Sequence, residues 1–245
     1  MLFTGISSNS LRTLDFQSVI ELAKNAHLDG IEWEGDVHVP IGNVDVAEMI
    51  WRATTKENLK VLSLGSYFKP GDTPDAAKAF LPIIDSAKTL RAPVIRIWAG
   101  SNSSANSTPD YFQKVTFDLR VICNLAWRSA KTVCFEYQRG TLADSTDSVF
   151  RLINEVACDN LKTNWQPNYE KTFEENQQEL KLILPYLQNV NVSNFMGASE
   201  ELWLRYIDIA NQNYKDKYFF MRFLLNDGVQ KFNSDATTLN RIVRR

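Results

Sequence analysis

The chain has 245 residues, 44% of them hydrophobic and 23% charged, with a formal net charge of -2. That length and balance suit a folded domain able to bury most of its apolar surface. No block of like charge and no apolar run of membrane-spanning length occurs, which argues against a nucleic-acid surface and a transmembrane helix. In chain order, Leu2 to Ile6 reads as a short strand, followed by a helix from Asp15 to Ala26 with Asp15 as N-cap. A second strand begins at Ile31–Trp33, a helix covers Asn43 to Glu57, and Leu59 to Tyr67 is a third strand. A helix over Asp75 to Leu90 precedes a strand at Pro93 to Ala99, and a long helix over Pro109 to Ala130 precedes one at Lys131 to Gln138. The remaining pairs are Ser145 to Ala157 with Leu161 to Gln166, then Phe173 to Leu187, interrupted near Pro185, with Asn189 to Phe195. Ser199 to Asn211 is helical, Lys217 to Leu225 a strand, and Asn233 to Val243 a final helix.

Eight alternating strand–helix units imply a parallel sheet closed into a (β/α)8 TIM barrel, here one domain over residues 1–245. A doubly wound open sheet is the alternative, but Ser7-Ser8-Asn9-Ser10 does not make the Gly-rich first turn that such folds carry. The N-terminus shows no basic-then-apolar leader pattern, and Cys123, Cys134 and Cys158 lack a CxxC spacing. Reduced thiols in a cytoplasmic protein are therefore expected, with Cys123 and Cys134 acting as small hydrophobes.

Barrel strands turn alternate residues toward the helices and toward the lumen. Ile31, Trp33, Ile95, Ile97, Val133, Phe135, Val190, Val192, Phe219, Met221 and Phe223 form the apolar, helix-facing set. The opposite parity then points inward: Glu32, Glu34, Arg96, Trp98, Glu136, Gln138, Asn164, Gln166, Asn191, Ser193 and Arg222. Polar groups in a lumen are costly unless paired or solvated, and many of these fall near the strand C-termini, where sites of this fold lie. A small-molecule pocket is one reading and a satisfied internal network the other.

Glu136 is the first candidate for an acid/base group, with Arg96 or Arg222 as ion-pair partners that would hold it ionised. His38 stands just past strand two, placed either to shuttle a proton or as an ordinary loop histidine. Trp98 and Trp165 could stack on a ring or fill the barrel top, while Lys69, Arg96, Arg139 and Arg222 would suit a phosphate or carboxylate. Asn194 to Ser199, with a single glycine before a helix, is a poor stand-in for a phosphate loop.

The run Gly30-Ile31-Glu32-Trp33-Glu34-Gly35-Asp36-Val37-His38-Val39-Pro40 resembles the strand-two signature of the sugar phosphate isomerase/epimerase family, a group of xylose isomerase-like barrels. Ile95 to Gly100, Phe135 to Leu142 and Trp165-Gln166-Pro167 extend the resemblance over nearly the whole chain. It implies a divalent metal held by Glu, Asp, His and Glu from strands five to eight, gripping vicinal sugar oxygens. Here Glu136 matches; Gln166 (or Asn164), Asn191 and Arg222 stand at the other positions. That donor set supports a divalent metal poorly, and no cofactor is firmly expected.

The expected activity is isomerisation or epimerisation of a sugar or sugar phosphate. Glu136 and His38 would be catalytic, and Glu32, Arg96, Trp98, Gln138, Trp165, Gln166, Asn191 and Arg222 would bind substrate. The alternative is a carbohydrate-binding barrel without catalysis. An abasic-site endonuclease of the same fold would need many histidines and a basic surface; the chain has two histidines. No nucleic-acid or membrane partner is expected, and no oligomer interface is legible.

Overall fold

A computed structural model describes residues 1–193, 200–213, 215–222 and 228–245. The expectations for Asn194–Ser199 and for residues 223–225 lie outside the described residues. Eight strands run β1 (Leu2–Ser7), β2 (Gly30–Glu34), β3 (Lys60–Gly65), β4 (Val94–Ile97), β5 (Thr132–Phe135), β6 (Leu161–Trp165), β7 (Leu187–Ser193) and β8 (Lys217–Arg222). The helices between and after them are α1 (Phe16–Asn25), α2 (Val44–Lys56), α3 (Ala76–Thr89), α4 (Pro109–Arg128), α5 (Thr146–Val156), α6 (Phe173–Ile183), α7 (Glu200–Ala210) and α8 (Gly228–Val243). Each strand pairs in parallel with its sequence neighbour, and β1 pairs with β8, closing the barrel. The expected (β/α)8 barrel is the fold. No described helix is long and apolar enough to cross a membrane.

Local chemistry explains the punctuation. Asp15 caps α1, accepting from the Ser18 N–H at 2.8 Å, as its position before the first apolar stripe suggests. Reciprocal capping boxes start α5 (Ser145 with Ser148) and α6 (Thr172 with Glu175). At Pro185 the missing N–H ends α6 early, and the chain makes a short 3-10 turn over Leu184–Tyr186 before β7. α8 begins at Gly228, five residues before the expected Asn233.

The alternation along the strands separates two apolar clusters. The larger fills the space between strands and helices and contains the helix-facing residues expected there, from Ile31 to Met221. The smaller holds Leu62, Val94, Cys134, Tyr218 and Phe220, with Phe3 against it. On three strands its members stand two residues before a charged one: Val94 before Arg96, Cys134 before Glu136, Phe220 before Arg222. The lumen therefore has an apolar layer beneath Arg96, Glu136 and Arg222, which stand toward the C-terminal mouth, where this fold places its chemistry.

Candidate active site at the barrel mouth

Five charged side chains from β2, β4, β8 and the residue after β5 meet inside the mouth, each at most 6% exposed. Arg96 is the hub. Its Nη2 donates to both carboxylate oxygens of Glu34 at 2.6 Å, and its Nη1 donates to Glu136 Oε1 at 2.9 Å. Arg222 spans the other side: Nη1 donates to Glu136 Oε1 at 2.6 Å and Nη2 to Glu32 Oε1 at 2.9 Å. Ser7 Oγ donates to Glu34 Oε1 at 2.9 Å, and the Glu34 N–H donates to Ser8 Oγ at 3.0 Å. Charge-assisted, forked contacts of this kind are what allow buried carboxylates to exist.

Gly65, at the end of β3, makes room for the hub. A Cβ built there would stand 2.3 Å from Arg96 Nη2 and 2.3 Å from Glu34 Oε2. The glycine is thus a matter of close approach, not of backbone freedom.

Three carboxylates against two guanidiniums leave one negative charge, so the three carboxylates are not held alike. Burial works to raise Glu136, but Arg96 and Arg222 outweigh it and hold its pKa below the usual carboxylate value. The same balance lowers Glu32. Glu34 moves the other way: burial dominates, and the neighbouring charge of Glu32 adds to it against Arg96. Burial disfavours the Arg96 cation, yet Glu136, Glu34 and Glu32 together drive its pKa well upward.

Above this cluster opens a cavity of about 790 Å³. Arg96, Trp98, Glu136, Gln138, Gln166, Asn191 and Arg222 all line it, so seven of the expected site residues come together. Asn164, named as an alternative for strand six, lines it too, with its Oδ1 accepting from the Tyr137 N–H at 2.8 Å. Lys69 stacks its ammonium 4.5 Å from the centre of the Trp98 ring. At the rim Arg139 pairs with Glu170, and both are more than 70% exposed.

Three expected site residues lie elsewhere. His38 is folded back by a tight turn, with its N–H and that of Val39 both donating to Glu34 O. Its Nε2–H donates to Leu14 O at 3.0 Å and its ring packs edge-on to Trp33, so it stands behind the barrel wall. Burial lowers its pKa, which keeps it neutral. Trp165 has the helix-facing parity: it is fully buried, 5.0 Å from the Tyr206 ring, and donates from Nε1 to Glu179 Oε1 at 3.2 Å. Glu32 faces the lumen as expected but lies beneath the cavity, spent on Arg222.

Tyr67 is a lining residue that strand alternation does not reveal. It follows β3, holds a left-handed backbone (φ 54°), and sets its ring 5.1 Å from the Arg96 guanidinium carbon. Burial, then Glu34, pushes its hydroxyl up to about 12. A non-glycine residue in that conformation at a pocket is the kind of stored strain that accompanies function; only the loop geometry exposes it.

These residues do not make the metal quartet that the family resemblance implies. Arg222 sits where the last carboxylate would be and donates to Glu136 Oε1 at 2.6 Å. Gln166 or Asn164 and Asn191 supply only neutral amide oxygens. A guanidinium in contact with the single remaining carboxylate does not fit a divalent cation.

No protein-family model matches the chain. No curated protein matches it in sequence either. Solved structures match it along its length. The probable 3-DHS dehydratase AsbF from Bacillus anthracis is 18% identical, with a TM-score of 0.78 over 98% of this chain and 99% of that one. The 3-keto-D-glucoside 4-epimerase from E. coli is 16% identical, with a TM-score of 0.75 over all of both chains. A xylose isomerase domain protein from Planctomyces limnophilus is 13% identical, with a TM-score of 0.70 over 98% and 95%. The chain has the fold of the xylose isomerase-like TIM barrels.

Proposed function

We propose that the mouth binds a small polyhydroxylated compound with a carbonyl group, and that the chain moves a proton at the carbon beside that carbonyl, as sugar isomerases and epimerases do. The observation that supports this is the division of labour within Glu136. Its Oε1 accepts from both arginines, while its Oε2 accepts from no described residue and the side chain lines the cavity. A carboxylate fixed in direction through one oxygen, with no described residue on the other, is placed to act as a proton acceptor.

The arginines would serve twice. They hold Glu136 ionised, so the base needs no prior deprotonation. They also offer fixed positive charge to an oxygen on which negative charge develops as the C–H proton leaves. Returning the proton to the adjacent carbon gives an isomer; returning it to the opposite face gives an epimer. Gln138, Asn164, Gln166 and Asn191 would recognise hydroxyls, and Trp98 a ring face. Should the sugar carry a phosphate, exposed Arg139 is the group at the rim to meet it. The epimerase among the similar structures agrees with this reading.

A second reading is a carbohydrate-binding barrel without turnover. One observation favours it: two guanidiniums on one oxygen make Glu136 a weak base. Incubation with a panel of ketoses and aldoses in deuterated water separates the two. Deuterium uptake beside the carbonyl, abolished in Glu136→Gln, supports proton transfer. A sugar that raises the melting temperature yet never exchanges supports binding alone, and a panel that does neither removes both.

A further inference from the structure

We propose that the outward face of α3 is a two-fold interface on which a second copy of this chain docks, helix against helix and antiparallel. Of the eight large apolar side chains exposed among the described residues, five stand on the consecutive helices α2, α3 and α4: Val44, Met49, Leu81, Phe117 and Trp127. The other described helices contribute one, Leu182 on α6. Leu81 and Pro82 are the exposed middle of α3. The start of α2 is held against them. The Gly42 N–H donates to Ser86 Oγ at 2.8 Å, and a Cβ on Gly42 would stand 3.5 Å from Pro82 Cβ, which brings Val44 alongside. On the other flank Lys114 Nζ donates to Thr73 O at 3.3 Å, setting α4 beside the start of α3 with Phe117 one turn further on. Single exposed apolar residues need no explanation, but a group spread over neighbouring helices marks a surface that another protein covers.

The charges on α3 select the occupant. Along its exposed stripe the chain reads Asp75, Lys78, Leu81, Pro82, Asp85, Lys88. These positions are symmetric about the point between Leu81 and Pro82. Two copies laid antiparallel about that point set Lys78 against the partner's Asp85, and Asp85 against the partner's Lys78. Asp75 and Lys88 repeat the relation further out, at the margins. A parallel arrangement in register would instead set each charge against its own kind. Lys78, Asp85 and Lys88 form no ion pair with any described residue, so their charges are available. Asp75 caps the helix through Oδ1, which accepts from the Lys78 N–H at 3.0 Å. A patch that complements itself about one axis is what a closed two-fold dimer requires. Exposed ion pairs contribute little each, so the apolar middle would hold the contact while the charges fix partner and direction. Antiparallel helices turn the two barrel mouths to opposite ends, so the contact does not depend on what the mouth does.

The test is sedimentation velocity on the intact chain, from micromolar to near-millimolar concentration. The mass should rise with concentration from the 28.0 kDa of one chain toward twice that value. Leu81→Lys should leave a monomer throughout. Lys78→Glu and Asp85→Lys should each weaken association by about tenfold, because the two-fold axis repeats every change. The double variant K78E/D85K should recover it. An equimolar mixture of the two single variants should associate more strongly than either alone, since their charges then match at both contacts. All three positions are exposed, so the variants should melt as the parent does. The proposal is overturned by a chain that stays monomeric at the highest concentration, or by association that ignores Leu81→Lys. It is equally overturned by charge reversals that leave association unchanged, or whose effect neither the double variant nor the mixture restores.

Discussion

Arg222 Nη1 donates to Glu136 Oε1 at 2.6 Å, joining the end of β8 to the residue just past β5 across the open mouth. The same oxygen accepts from Arg96, so one carboxylate oxygen carries two cations. In a site this dry, neither arginine is a spectator to the other carboxylates.

Removing Arg222 should therefore cost much more than an ordinary surface pair. Arg222→Met leaves Glu136 and Glu32 facing each other with Arg96 as their common cation, and breaking a buried pair from one side costs about 3–5 kcal/mol. Urea unfolding at neutral pH should show the midpoint falling by a corresponding amount. Arg222→Lys should recover only part of it, because an ammonium cannot bridge Glu136 and Glu32 as the guanidinium fork does. A variant as stable as the parent would show that the pair contributes nothing.

Gly65→Ala tests the hub itself. The added methyl would meet the Arg96–Glu34 contact at 2.3 Å on both sides, and neither group can shift without breaking the 2.6 Å contact between them. Displacing that pair should destabilise by about 2–4 kcal/mol, within the range for overpacking combined with loss of a buried pair. Gly140→Ala is the control: nothing lies within 4 Å of its Cβ, although φ is 78° there, so only a backbone penalty of about 1 kcal/mol applies. Equal losses in the two variants would argue that the contact at Gly65 is not what matters.

Much of this site was legible in the residues. The helix-facing apolar parity fixes the facing of Arg96, Glu136, Asn191 and Arg222, and the strand order places them at one end. Parity also disqualifies Trp165, which stands between the inward residues Asn164 and Gln166. Depth is not legible in the same way: Glu32 and Glu34 share a face, yet both lie below the cavity, committed to arginines. Loop residues are least legible, since the turn that hides His38 depends on two backbone bonds to Glu34 O. Which carboxylate meets which guanidinium is set by packing across the lumen, and no spacing along one strand encodes it.

His38 gives a pH dependence with a definite sign. Burial lowers its pKa in the folded chain from the ordinary 6.5, so between the two values the unfolded chain binds more protons. Its contribution is then present above 6.5 and is lost as pH falls toward the folded value. Stability measured from about pH 7.5 down to about pH 5 should decline, and His38→Gln should flatten that limb. Asp15 and Asp36 act on His38 in the opposite sense and Arg12 in the same sense as burial, so all three belong in the control set. A slope unchanged by the substitution would assign the decline to other groups.

Rebuilding the quartet that the family resemblance implies tests why it is absent. Arg222→Glu, Asn191→His and Asn164→Asp, combined with native Glu136, replace a guanidinium and two amides by anionic and imidazole donors. Without metal this triple variant should be less stable than the parent, because Glu32, Glu34 and Glu136 would then share Arg96 alone with a new carboxylate. With manganese or zinc it should recover. At a metal concentration a hundredfold above the dissociation constant, the folded state gains about 2.7 kcal/mol, a rise of roughly 5–10 °C in melting temperature for a chain of this size. The parent should show no such rise, since it places the Arg222 guanidinium 2.6 Å from the one quartet carboxylate, Glu136, and offers only neutral amides beside it. A parent stabilised as strongly as the variant would mean that the guanidinium yields to metal, and that Glu136 works beside a bound cation after all.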